Sequence, residues 1–119
     1  MGILNQDMFD DLYAQLGAIS PEIQGAALIS NEGVVLFQEG ETVADENLIG
    51  IAGAAIMRLA EHISSGLAEC PAQEIGIRCD GHTALFVPVG ADALLMLVLS
   101  ADTDTRPLAR AVQSRPERF

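Results

Sequence analysis

The chain contains no lysine and no tryptophan, and its only aromatics are four Phe and one Tyr. A core without many large rings must be assembled from Ala, Leu, Ile and Val. These are plentiful, because half of the 119 residues are apolar, far above the composition of disordered chains. The length suits one domain, expected over residues 1–119 with its core at about 8–113. The missing lysine has a second consequence. Six Arg stand against 17 acids, for a formal charge of −11. Such a chain is repelled by phosphate backbones and lacks the basic patch that nucleic-acid binding requires. Anionic membrane surfaces are disfavoured for the same reason. The charge is also uneven: no Arg precedes Arg58, whereas four Arg and one Glu follow from Arg106 onward. An acidic body of this kind aids solubility and can attract a basic partner surface.

Cysteine is scarce too. Cys70 and Cys79 lie nine residues apart and form no CxxC pair, so free thiols in a reducing compartment are expected. No basic segment followed by an apolar run opens the sequence, which argues against a secretory leader. Gln6 stands where a myristoylation signal wants Ser or Thr. The apolar run Leu48 to Met57 is half of what a bilayer needs before Arg58 interrupts it. A cytoplasmic protein without membrane insertion is expected.

Reactive groups are few. His62 follows Arg58 by four residues and has no HExxH companion, and His82 follows a turn. These two His and two Cys are not spaced as a zinc site. Asp102-Thr103-Asp104 could begin a calcium loop, but Pro107 occupies the position that requires Gly. Ser64-Ser65 lacks the glycines of a nucleophile elbow. Without lysine the chain cannot supply a phosphate-cradling GxxxxGK[ST] loop, and it has no GxGxxG. No metal, no cofactor and no enzymatic activity are expected.

The pattern of apolar residues is more informative. Met8, Leu12, Leu16 and Ile19 recur at helical spacing between Asp7 and Ile19, with Asn5 or Asp7 as cap. Ser20-Pro21 then forces the chain out of helix. Gly25 to Ile29 is apolar on both faces of a strand, as expected of a central position. Ser30-Asn31-Glu32-Gly33 reads as a tight turn into a second strand, Val34 to Phe37, and Gln38 to Asp45 as a loop.

A long helix follows from about Asp45 to Leu67. Leu48, Ala52, Ala55, Leu59 and Ile63 make one stripe, and Ile49, Ile56, Ala60 and Leu67 a second; Ile51 and Met57 extend the apolar surface. A surface helix on a monomer needs only one such stripe. Gly50, Gly53 and Ala54 permit close approach of another backbone, either the chain's own sheet or a second helix. Joined to the excess of apolar surface, they point to a helix meeting its copy across a two-fold axis, with Gly50, Gly53, Ala54 and Met57 at the contact. Three strands come next: Gln73 to Asp80, alternating in polarity; His82 to Val87, ended by Pro88; and the apolar run Ala93 to Leu99. Thr105-Arg106-Pro107 opens a last helix to Gln113.

The segment from Gly25 to Leu36, the Ala-rich helix from Ile51 to Ala60 and the final strand from Val89 to Leu99 together resemble roadblock/dynein light chain domains. The resemblance covers nearly the whole chain, in order and in spacing. It implies an α+β sandwich of order α-β-β-α-β-β-β-α. A five-stranded antiparallel sheet would carry the long helix on one face and the terminal helices on the other. It further implies a homodimer joined by the long helices and by the strand containing Ile75, Ile77 and Cys79. Partners of the family include Ras-like small GTPases; bacterial members of the MglB type bind one and promote its hydrolysis without supplying catalytic groups. The chain stops soon after its last helix, short of the extension that some GTPase-activating members carry. The function the resemblance implies is that of a non-enzymatic homodimeric adaptor that binds a Ras-like GTPase, with modulation of its GTP hydrolysis a further expectation. A structural assembly subunit without a nucleotide-dependent partner is the alternative. A small-molecule sensor ranks behind both, because Ala93 to Leu99 offers no convergent polar groups.

Overall fold

In the computed structural model, residues 5–40, 46–67, 72–90 and 92–114 are described. Cys70, the helix start at Asp45, the turn residue Ala91 and the last two arginines lie outside them.

Helix α1 (Gln6–Ile19) begins where the Asn5 side chain accepts a hydrogen bond from the Met8 amide at 2.8 Å, satisfying one of the free amides of the first turn. Its buried stripe is Phe9, Leu12 and Leu16. Met8 is only half-buried and Ile19 is exposed, so the inward register runs through Phe9 and not Met8. Strands β1 (Ile23–Ser30) and β2 (Val35–Gly40) form an antiparallel hairpin. In its turn, Ser30 Oγ accepts hydrogen bonds from the amides of Glu32 and Val34. Val34 remains in the turn, whereas Gln38, Glu39 and Gly40, expected in a loop, continue β2 because β1 pairs with them as far as Gly25↔Gly40.

Helix α2 (Glu46–Leu67) carries the chain to the opposite edge of the sheet. Strands β3 (Ile75–Cys79), β4 (His82–Val89) and β5 (Ala93–Ser100) complete it. All neighbours are antiparallel in the order β2-β1-β5-β4-β3. The two strands most apolar in sequence, β1 and β5, occupy inner positions, as strands covered on both faces should. Pro88 continues β4, lying past Phe86, the last residue paired with β3; on that side there is no ladder for its missing amide to interrupt. Helix α3 (Arg106–Gln113) carries Pro107 in its first turn and buries Leu108, Ala109 and Val112.

Two cores result, one on each sheet face. Phe9, Leu12 and Leu16 of α1 and Leu108 and Val112 of α3 meet Leu28, Leu85, Leu95 and Leu97 on one side. Ile49 and Met57 of α2 meet Ala27, Ile29, Phe86, Leu94 and Met96 on the other. The terminal helices thus share one face and the long helix takes the other.

Candidate interaction surface

Helix α2 has two apolar faces with different fates. The inward one is fitted closely to the sheet. A methyl at Gly53 would lie 2.8 Å from Cδ1 of Ile29, and one at Gly50 would collide with the backbone oxygen of Gly33. Met57 is buried in the core beneath the helix. Gly50, Gly53 and Met57, expected at a contact between two copies, are therefore used within the chain: the small residues seat α2 on its own hairpin. Ala54 is half-buried, beside a notch of about 160 Å³ that it lines with Asn31, Met57, Arg58 and Glu61.

The outward face carries the other stripe. Leu48, Ile51, Leu59, Ile63 and Leu67 are between 53% and 78% exposed, and the exposed Ala52 and Ala55 join them. The buried face satisfies the sheet, so this second stripe has no covering within the described residues. Apolar side chains clustered at this density on a helix mark an interaction site more often than ordinary surface.

Beside α2, β3 forms the edge of the sheet and pairs with β4 alone. Ile75 packs partly into the core under α2. Ile77, two residues on and on the same face, is 43% exposed, and the Cys79 thiol is exposed and free. An open edge presents a row of backbone donors and acceptors to a further strand. Of the seven residues expected at a dimer contact, Ile77 and Cys79 are thus accessible, Ile75 and Ala54 half so, and Gly50, Gly53 and Met57 covered. Spacing along the sequence does not separate the two stripes; the glycines assign them only once α2 lies against Gly33 and Ile29.

The polar groups are dispersed. The exposed His82 holds its Nδ1 3.1 Å from Gln24 Oε1, and His62 is exposed on α2. Among the described residues no three His, Cys, Asp or Glu come together as a metal site, and no helix is long and apolar enough to cross a membrane. The Asp104 carboxylate pairs with Arg106 at 3.2 Å. Hydrogen bonds from the Arg106 side chain and then its backbone hold that carboxyl below its usual range. Glu39 is displaced upward, first by a hydrogen bond shared with Asp10, then by burial and by the Asp10 charge. Ser100 Oγ donates to Glu22 at 2.7 Å beside a shallow notch lined by Asp102 and Thr103.

No family model and no curated protein matches the chain by sequence. Solved structures match it closely in shape. A Roadblock/LC7 domain from Streptomyces avermitilis, 15% identical, superposes with a TM-score of 0.73, covering 87% of this chain and 88% of that one. MglB of Myxococcus xanthus, 14% identical, gives 0.70 over 91% and 83%. The gliding protein MglB of Thermus thermophilus, 18% identical, gives 0.65 over 96% and 97%. With the strand order, the placement of the helices and these likenesses together, the chain has the roadblock fold.

Proposed function

We propose that the protein is a cytoplasmic, non-enzymatic homodimeric adaptor that binds a Ras-like small GTPase and modulates its GTP hydrolysis. The observation that carries this reading is the uncovered apolar stripe of α2 beside the open edge strand β3. Burying a large aliphatic side chain fully is worth about 1.5–3 kcal/mol. Five residues already partly covered therefore offer roughly 5–9 kcal/mol on each copy when a partner covers them fully, comparable to the lower estimates of the cost of association. A two-fold arrangement serves both elements at once, because the same patch meets itself. The GTPase partner follows from the family resemblance, and the likeness to two MglB structures supports it.

A tagged pull-down, run in parallel with GDP and a non-hydrolysable GTP analogue, tests the reading. Retention of a Ras-like GTPase mainly in one nucleotide state is expected, since only differential affinity shifts a population of states. Equal retention in both states favours a structural assembly subunit instead. Sedimentation of the purified chain tests the dimer separately; a monomer at high micromolar concentration removes it.

A further inference from the structure

The turn between β3 and β4 sets an aspartate before a residue with no side chain. Of eight aspartates, seven precede a residue that carries a Cβ, and Asp80 alone precedes glycine; no asparagine does. A Cβ on the following residue crowds its amide nitrogen, so glycine gives that nitrogen the freest approach to the aspartyl Cγ. The fold requires Gly81 for a separate reason. Two residues close the hairpin between the paired Cys79 and His82, and Gly81 takes a φ of 83°, a conformation that short hairpin turns demand. The pair that makes the turn is therefore also the reactive pair.

Tertiary structure leaves this pair unguarded. Asp80 and Gly81 are both exposed, and a methyl at Gly81 would meet nothing within 4 Å. Among the described residues, the Asp80 carboxylate has no hydrogen-bond or ion-pair partner and the Gly81 amide donates to none. The strand leading into the turn is five residues long, pairs with β4 alone and is exposed from Gly76 to Cys79. With so few buried contacts, this end of the sheet opens locally at less cost than the rest of the fold. The β4–β5 turn is held differently. There the Asp92 backbone oxygen accepts a hydrogen bond from the Asn31 amide, and the next residue, Ala93, is buried.

We propose that Asp80 is a site of spontaneous covalent modification, converting to isoaspartate through a succinimide. The Gly81 amide nitrogen bonds to Cγ of the protonated Asp80 carboxyl, whose hydroxyl leaves with the amide proton as water. One water then adds to the five-membered ring. Opening at Cγ restores aspartate. Opening at the main-chain carbonyl leaves Gly81 joined to Cγ and the former main-chain carbon as a free carboxylate. The backbone now runs through Cβ and is longer by one methylene. A two-residue hairpin fixes register by its length, so the added atom loosens the Cys79–His82 end of β3. The inference is independent of the adaptor reading.

The test ages the purified full chain at physiological temperature and neutral pH. Digestion with an endoproteinase that cleaves before aspartate but not before isoaspartate, followed by mass spectrometry, reads position 80. A protein isoaspartate methyltransferase with a labelled methyl donor reads the same product independently. Cleavage before Asp80 should fall with time, through a species lighter by one water, while cleavage before Asp92 persists. The methyl label should appear in the fragment that spans Asp80. Gly81→Ala should lose that label, and so should Asp80→Glu, which keeps the charge and the turn but would have to close a larger ring. Amide exchange in the modified chain should quicken at Cys79 and His82 and stay unchanged in β1 and β5. Cleavage before Asp80 that persists as it does before Asp92 overturns the proposal, as does equal labelling of Asp80→Glu. Unchanged exchange at Cys79 in the modified chain overturns the effect on β3.

Discussion

Replacing Gly50 by Ala should destabilise the protein, although the same change in an ordinary helix stabilises it. In a helix interior Gly costs about 1 kcal/mol relative to Ala, so propensity alone favours the substitution. Here the new methyl would collide with the backbone oxygen of Gly33, which sits in the turn between β1 and β2 at a φ of 88°. A carbonyl cannot rotate away as the tip of a side chain can. Relief requires α2 to lift from the hairpin or the turn to shift, and overpacking of this kind typically costs about 1–3 kcal/mol. Subtracting the propensity gain leaves a net loss of roughly 0–2 kcal/mol. Gly17→Ala in α1 is the control, because a methyl there meets nothing within 4 Å; it should stabilise by up to about 1 kcal/mol. Gly53→Ala should fall between them, since its obstacle is the flexible end of Ile29. Urea unfolding of all three, at one protomer concentration because a dimer's stability depends on it, gives the order. Gly50→Ala as stabilising as Gly17→Ala would refute the close seating of α2 on the hairpin.

Asn5→Ala should cost about 1 kcal/mol in urea unfolding, because it frees the Met8 amide at the start of α1, while Asn5→Asp should keep most of the cap. Glu39 titrates above its usual range, so the fold favours its protonated form. The associated stability is complete below the unfolded value and is lost as pH rises through the folded one. Glu39→Gln should flatten the pH–stability profile in that acid range, and an unchanged profile would remove the Asp10–Glu39 contact as its cause. Nucleotide-dependent retention of a GTPase in the pull-down tests the adaptor reading.

Much of the fold was legible in residue order. The 3.6-residue recurrence along α1 and α2, the apolar runs of β1 and β5 and the turn residues around Gly33 are local signals, and local signals specify elements. Local rules also left errors of detail. The stripe of α1 passes through Phe9 where Met8 was expected, a difference of one position that spacing resolves only loosely. Gln38 to Gly40 look like a loop because they are polar, yet pairing with β1 makes them a strand.

What the sequence could not assign was the destination of each face of α2. Two apolar stripes and a run of small residues are equally compatible with a glycine-lined contact between copies and with a glycine-lined contact to the sheet. Only the tertiary arrangement decides. Gly50 and Gly53 are small because Gly33 and Ile29 of the same chain occupy the space a side chain would need, so Leu48, Ile51, Leu59 and Ile63 are left facing outward. The period of a helix is written along the chain, whereas the neighbour it packs against is set by residues brought close in space from 17 to 24 positions away.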